Sequence, residues 1–288
     1  MLQYVNKLDG NRHVSQEKEE TKLKAKTGYS KNGLPYFCIG SIPRTLVVFE
    51  GLGFENKPPS GLQLRFTTGD FKRFTKEYTI YSVGRKPDLP DGYSTRDMAN
   101  DYANMIKEEL EPPVDILGVS TGGTIAQYFA LDHPQLVRRL VLASTGYTLN
   151  ENGKKLQMHS ADMARKGKWR PAYTSMLDGL YPEGGIKKRF FKLMMWIMAT
   201  FSKPKDSSDY VITVEAEDKH NFKDKLKEIK VNTLVIGGED DYFYPIQETA
   251  EGIPNAKLVL YKKFGHNAWL DNRKQYQENV LDFLNEEI

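Results

Sequence analysis

Short apolar runs recur along the chain, and most are separated by stretches with the apolar spacing of a helix. A continuous run such as Thr45–Phe49 is typical of a strand buried on both faces of a sheet. The Asn32-Gly33 pair predicts a tight hairpin between the first two runs. The predicted strands are Lys24–Tyr29, Pro35–Ile39, Thr45–Phe49, Tyr78–Val83, Val114–Val119, Arg139–Ala143, Thr233–Ile236 and Lys257–Tyr261.

Three helices follow from the spacing of apolar residues. Ser94–Glu109 begins with a serine suited to the N-cap and carries apolar residues on one face. Thr121–Asp132 and Tyr276–Asn285 are the other two. Strands that alternate with helices predict an α/β fold with a mostly parallel central sheet and helices on both faces.

One long stretch interrupts this alternation. Residues 146–208 show helical patterns and no convincing strand. Within 151–205 there are twelve Lys or Arg and four Asp or Glu, and six of the nine methionines. We predict a helical cap inserted at the C-terminal edge of the sheet, where open α/β sheets bind ligands. The predicted organisation is a polar arm at 1–22, a core at 23–145 and 209–288, and the cap at 146–208.

Composition narrows the class of protein. The chain has 288 residues and a net charge of +3, which is too small to indicate a nucleic-acid partner. Its single cysteine, Cys38, excludes an internal disulfide framework and favours a cytoplasmic protein. The longest apolar stretch, Phe190–Phe201, is too short to cross a membrane. No metal-binding or phosphate-binding motif occurs, so we expect no metal and no cofactor.

The segment Gly118–Gly123 (GVSTGG) directly follows a predicted strand and opens a predicted helix. A sharp turn from strand to helix exposes a serine hydroxyl at the sheet edge, and glycines on either side make room for that turn. We therefore predict that Ser120 is a nucleophile and that the Thr121 N–H, at a helix N-terminus, stabilises negative charge. An incidental serine in a glycine-rich turn is the alternative; a dinucleotide turn would require GxGxxG, which is absent.

A serine nucleophile needs a base and an acid that orients the base. Of the five histidines, His266 is the best candidate because it follows the last predicted strand. The other four histidines lie elsewhere in the predicted fold. His13 lies in the polar arm, His133 at a helix end, His159 in the cap and His220 in a charged connector. Three carboxylates, Glu239, Asp240 and Asp241, follow the Thr233–Ile236 strand. One of them turns inward toward the histidine, or all three form a solvated turn.

The order Ser120, a late acid, then His266 resembles the α/β-hydrolase fold superfamily. The resemblance covers roughly 29–145 and 209–288. It implies that Asp241 is the acid, because Gly238 precedes it by three residues and Pro245 follows by four, with Asp240 as the fallback. It also implies an oxyanion donor after Thr45–Phe49, for which the Leu52 N–H is our choice beside that of Thr121. Glu50 departs from the His-Gly usual there, so its carboxylate must point away or be paired.

These observations predict a serine hydrolase, most simply a carboxylesterase that cleaves a small or medium ester through an acyl-enzyme. The alternatives are C–C bond hydrolysis, thioesterase or lyase chemistry on the same residues, or a ligand receptor with residual hydrolysis. Packing is the first interpretation of the apolar residues at 190–201, and an acyl pocket lined by Met194, Trp196 and Met198 is the alternative. The expected partner is a small ester or acyl substrate; a membrane surface, met by the basic Met-rich cap, is the weaker expectation.

Overall fold

The computed structural model describes residues 25–201, 204 and 206–287. The predicted arm at 1–22 lies outside these residues. Eight strands form one sheet in the order β1-β2-β4-β3-β5-β6-β7-β8. Strands β1 and β2 run antiparallel to their neighbours and the remaining pairs are parallel. The strands are Lys26–Tyr29, Pro35–Ile39, Thr45–Phe49, Thr79–Val83, Val114–Val119, Val137–Ala143, Thr233–Gly238 and Lys257–Tyr261, for β1 to β8.

Eleven α-helices occur within the described residues. They are Gly61–Phe71, Thr95–Glu109, Thr121–Asp132, Glu151–Arg165, Trp169–Ser175, Leu177–Leu180, Gly185–Phe201, Ser208–Asp218, Ile246–Gly252, Ala268–Asp271 and Arg273–Asn285, for α1 to α11. Helix α2 begins as predicted: Ser94 accepts the Asp97 N–H at 3.1 Å, and the Asp97 carboxylate accepts the Ser94 N–H at 3.0 Å. Such reciprocal bonds satisfy two backbone donors that the helix itself cannot.

Alternate residues of each central strand face two different cores. In β3, Val47 and Phe49 pack with α2 and α3, whereas Leu46 and Val48 pack on the other side with α11. Helices therefore cover both faces of the sheet, and the predicted fold class, α/β with a mostly parallel sheet, is confirmed. This arrangement directs the C-terminal ends of β3, β5, β7 and β8 to one edge.

Several element boundaries differ from those predicted. Strand β6 begins at Val137, two residues earlier than predicted. The sequence places its start too late because the charge of Arg138 interrupts the apolar pattern. Arg138 and Arg139 both have partners in the fold: Arg138 pairs with Asp115, and Arg139 donates to the Leu284 carbonyl at 3.1 Å. Helix α11 begins at Arg273 rather than Tyr276, since its first turn is polar.

Helices α4 to α8 lie between β6 and β7 and build a third apolar cluster. Its buried residues include Trp169, Tyr173 and Tyr210. Leu52 and Phe54, from the loop after β3, pack against the same cluster. The Phe54 ring stacks on Tyr173 at 3.7 Å and on Tyr210 at 4.5 Å between centroids. The helical segment therefore rests on the loop that was predicted to carry an oxyanion donor. The proposed division into cap and core stays a prediction.

Candidate active site

Ser120 lies at the junction of β5 and α3. Its φ of 53° and ψ of −124° place it in a conformation that residues with a side chain rarely adopt. Two backbone hydrogen bonds stabilise this conformation. The Ser120 N–H donates to Ala143 O at 2.9 Å, and the Gly123 N–H donates to Ser120 O at 2.8 Å. A side chain held in this way projects from the sheet edge, as a nucleophile requires.

The two glycines that flank Ser120 allow close backbone approaches. A Cβ added to Gly122 would lie 2.0 Å from the Phe49 carbonyl oxygen. A Cβ added to Gly118 would lie 2.7 Å from the Gly123 Cα. Both distances are too short for any side chain, so the turn between β5 and α3 requires glycine at these two positions.

His266 lies in the loop between β8 and α10, 7 % exposed, and its imidazole lies beside Ser120. Its Nε2 is 3.1 Å from Ser120 Oγ. Phe243 contacts the ring edge-on at 4.8 Å and Tyr244 stacks on it at 5.7 Å between centroids. These rings hold the imidazole in one orientation.

Asp241 follows β7 and contacts the other ring nitrogen of His266. Its Oδ2 is 2.9 Å from His266 Nδ1. Its Oδ1 also accepts the N–H groups of Phe243 at 2.8 Å and Tyr244 at 3.1 Å. Because this carboxylate already acts as an acceptor, Nδ1 is the nitrogen that donates, which leaves Nε2 to accept from Ser120. The neighbouring Asp240 side chain is exposed. The structure thus brings Ser120, His266 and Asp241 together.

The loop after β3 approaches Ser120 through Gly51. A Cβ added to Gly51 would lie 3.4 Å from Ser120 Cβ. The buried Arg85 guanidinium donates to the Glu50 carbonyl at 2.9 Å and to the Gly51 carbonyl at 3.0 Å. In a trans peptide the N–H points opposite to the preceding carbonyl. Arg85 therefore turns the Leu52 N–H away from itself. The oxyanion-donor roles of Leu52 and Thr121 stay predictions.

The Glu50 side chain, which stands where the α/β-hydrolase fold usually has a histidine, is hydrogen-bonded within the protein. Its Oε1 accepts the Ser82 hydroxyl at 2.6 Å. Burial raises the pKa of this carboxyl, and the Ser82 hydrogen bond and the nearby Arg85 charge oppose that rise. Burial thus favours the neutral acid, which would place less negative charge beside the loop.

A second buried carboxyl, Glu217 of α8, contacts the start of α3. It accepts the Thr121 hydroxyl at 2.9 Å and the Tyr244 hydroxyl. Burial raises its pKa, while the hydrogen bonds from Tyr244 and Thr121 oppose the rise. Glu217 therefore ties the helical segment to the residue after Ser120 and to the ring that stacks on His266. No local sequence pattern marks Glu217, Tyr244 or Arg85, because each acts through a contact with a residue distant in the chain.

The structure places two of the predicted pocket residues at the surface. Met194 and Trp196 of α7 are 38 % and 46 % exposed. The Arg170 guanidinium lies 4.1 Å from the Trp196 ring centroid. The Met198 side chain lies outside the described residues. The role of these three residues in a pocket stays a prediction.

His220, predicted to lie in a charged connector, is instead buried. Its ring packs against Phe222 and Tyr128, at 6.0 and 5.6 Å between centroids. Burial lowers its pKa to about 3. The burial of His220 could not be predicted from its neighbours in the sequence, because Lys219 and Asn221 on either side of it are polar and exposed.

Neither a metal-binding cluster nor a membrane-spanning helix occurs among the described residues. No set of three or more His, Cys, Asp or Glu side chains in this part of the chain is arranged to hold a metal ion. None of the helices that the structure describes has both the length and the apolar character needed to span a bilayer.

Comparison with known proteins agrees with the fold. A family model described as the α/β hydrolase fold matches residues 64–170. A 2-hydroxy-6-oxononadienedioate/2-hydroxy-6-oxononatrienedioate hydrolase of Cupriavidus pinatubonensis is 31 % identical over 59 % of this chain and 62 % of its own length. A protein of Pseudomonas savastanoi pv. phaseolicola, named provisionally as the carbamate hydrolase RutD, is 26 % identical over 83 % of this chain and 93 % of its own.

Solved structures show the same architecture. The enol-lactonase from Burkholderia xenovorans LB400 aligns with a TM-score of 0.75 and 18 % identity, covering 91 % of this chain and 100 % of that one. The matching family model, the relatives and the shared fold all support the resemblance of this chain to the α/β-hydrolase superfamily. The resemblance found in the sequence is thereby confirmed at the level of the superfamily.

Proposed function

We propose that the protein is a serine hydrolase that cleaves carboxylic esters. The observation that carries this proposal is the continuous series of contacts from Ser120 Oγ to His266 Nε2 at 3.1 Å and from His266 Nδ1 to Asp241 Oδ2 at 2.9 Å. A serine hydroxyl is a weak nucleophile unless a base accepts its proton, and this series supplies that base and orients it.

In the proposed mechanism, Ser120 Oγ attacks the ester carbonyl as His266 Nε2 takes its proton. The Leu52 and Thr121 N–H groups donate to the oxyanion, and the dipole of α3 favours its negative charge. His266 then protonates the leaving alcohol, which leaves an acyl group on Ser120. A water molecule, deprotonated by the same nitrogen, releases the acid. Asp241 holds the Nδ1 tautomer throughout and stabilises the imidazolium in both steps.

A fluorophosphonate probe tests the nucleophile. We expect the wild-type protein to be labelled at Ser120 and the Ser120→Ala variant to lose both labelling and turnover of short p-nitrophenyl esters. Circular dichroism should be unchanged, since the Ala variant removes one oxygen at the end of a strand. Labelling of the Ala variant at full stoichiometry would show that another residue is the nucleophile.

A second candidate is C–C bond hydrolysis on the same residues. It is favoured by the similarity to the Cupriavidus hydrolase that is named for 2-hydroxy-6-oxononadienedioate. A comparison of kcat/KM for that dienedioate and for a series of ester chain lengths, at equal concentrations of labelled sites, distinguishes the two. Preference for an ester by about tenfold or more supports the first proposal, and the reverse supports the second.

A further inference from the structure

Helix α7 (Gly185–Phe201) carries a row of exposed apolar side chains along its length. Ile186, Phe190, Leu193 and Ile197 are 85 %, 62 %, 59 % and 43 % exposed. Their spacing of four, three and four residues places them on one face of the helix, here called the outer stripe. Soluble monomers rarely leave a contiguous apolar surface of this kind uncovered unless it binds something.

The opposite side of α7 is fixed to the protein. Ala199 is buried and Met195 is half-buried in the cluster that contains Trp169 and Tyr173. The Phe191 ring stacks on Tyr181 with 5.4 Å between centroids and an interplanar angle of 9°. The outer stripe is therefore held facing away from the protein, and its exposure follows from the packing of the helix.

Positive charge accompanies the stripe. The sequence of α7 contains three lysines and one arginine and no acidic residue. Arg189 and Lys192 are exposed, and at 100° per residue both lie on the same side of the outer stripe. Residues 151–205 around the helix have a net charge of +8. The partner must therefore offer an apolar layer with negative charge next to it.

The surface of an anionic bilayer meets both requirements. Interfacial helices combine an apolar face containing Phe, Leu or Trp with a Lys- and Arg-rich polar face. We propose that α7 docks the protein on anionic lipid, with the outer stripe at the boundary between headgroups and acyl chains and with Arg189 and Lys192 at the lipid phosphates. Docking of this kind lies parallel to the membrane and does not cross it.

Helix α1 provides a matched comparison within the same chain. Leu62 and Phe66 are 65 % and 69 % exposed and lie one turn apart. The charges on α1 cancel, since the helix contains Arg65 and Asp70 and no other charged residue. An exposed apolar pair without accompanying positive charge should therefore add little binding to anionic lipid.

Vesicle flotation tests the proposal with the full-length protein. We expect binding to vesicles of phosphatidylcholine with about one third phosphatidylglycerol, and much weaker binding to phosphatidylcholine alone. The Phe190→Ser/Leu193→Ser double variant should lower the partition coefficient at least about tenfold. The Arg189→Gln/Lys192→Gln variant should remove about tenfold of the preference for anionic vesicles. The Leu62→Ser/Phe66→Ser control should bind as the wild type does, and thermal unfolding verifies that all variants fold.

Three results would overturn the proposal. The first is a wild-type protein that stays unbound in the presence of anionic vesicles. The second is an equal loss of binding in the α1 control, which would mean that general hydrophobicity drives the interaction. The third is a dimer, detected by light scattering without lipid, that the Phe190→Ser/Leu193→Ser variant dissociates, because the outer stripe would then be covered by a second copy of the chain.

Discussion

Asp240 and Asp241 are adjacent residues in very different surroundings. The Asp241 carboxylate is buried and accepts from the ring of His266 and from two backbone N–H groups. The Asp240 side chain faces solvent. Of these two neighbours in one turn, Asp241 can therefore orient the imidazole and Asp240 cannot.

We predict that Asp241→Asn lowers kcat by about 10⁴, because an amide group favours the wrong imidazole tautomer and cannot stabilise the imidazolium. Asp240→Asn should change kcat only a few-fold and stability by about 0.5 kcal/mol or less. Steady-state kinetics measured alongside circular dichroism decides between them. If Asp240→Asn is inactive and Asp241→Asn is active, Asp240 is the acid that orients His266.

His220 makes the stability of the fold depend on pH. Its pKa is lowered from 6.5 to about 3 by burial, so between these pH values the unfolded chain binds a proton that the folded chain does not. Stability from this residue is therefore present above about pH 6.5 and is lost as the pH falls.

We predict that His220→Phe, which keeps the packing against Tyr128 and Phe222, removes this loss. The wild type should lose about 1.4 kcal/mol more than the variant for each pH unit between about 6 and 4. Urea unfolding at several pH values measures the difference. Parallel curves for the two proteins would mean that His220 binds a proton as readily in the folded state as in the unfolded state.

At the scale of an element, the loop between β3 and α1 depends on Arg85. Its guanidinium donates to two successive carbonyls of that loop and so sets the direction of the next N–H. A planar group with parallel donors suits two neighbouring acceptors, and a lysine ammonium does not.

We predict that Arg85→Met lowers kcat by about 10- to 100-fold with a smaller change in KM, because the oxyanion donor of the loop is misplaced. Arg85→Lys should recover only part of the loss. Arg96→Met is the control, since Arg96 is an exposed arginine of α2 that also makes two hydrogen bonds, both to Asp132. Wild-type kcat in a folded Arg85→Met protein would contradict the role of Arg85.

Local pattern was sufficient to predict the central elements but not all of the helices. Strand β5, helix α3 and their junction at Ser120 carry their signal in consecutive residues, and the structure has them at the predicted bounds. Helix α1 was not predicted because it buries no residue completely, so no apolar periodicity marks it.

The residues of the candidate site also differ in whether the local sequence predicts them. Ser120, His266 and Asp241 each follow a strand, and strand order brings them to one edge. Glu217 contacts Thr121 across 96 residues of chain, and Arg85 contacts Gly51 across 34. No local spacing encodes such pairs, because each joins residues that only the folded chain brings together.

At the scale of the whole molecule, Phe54 joins the helical segment to the sheet. Its ring lies between Tyr173 and Tyr210 on helices of that segment, while its backbone belongs to the loop beside Ser120. The packing of the segment and the shape of the loop are therefore linked through one side chain.

We predict that Phe54→Ala lowers the free energy of unfolding by about 2–3 kcal/mol and raises KM, because both the stacking and the support of the loop are lost. Phe66→Ala, at an exposed position of α1, should change stability by about 0.5 kcal/mol or less. Calorimetry and ester kinetics on both variants measure these effects. Equal, small changes in the two proteins would show that the segment and the loop are independent.

The segment between β6 and β7 leaves the sheet at one end of the strands and re-enters it at the other. It departs after Ala143, the last residue of β6, and returns at Thr233, the first residue of β7, which pairs with Leu140 in the parallel ladder. A foreign insert would therefore have to return along a face of the sheet, because neighbouring parallel strands require a crossover connection. Exchange of substrate preference by grafting is further limited by Phe54, Glu217 and Tyr244, whose contacts a transplanted segment would have to reproduce.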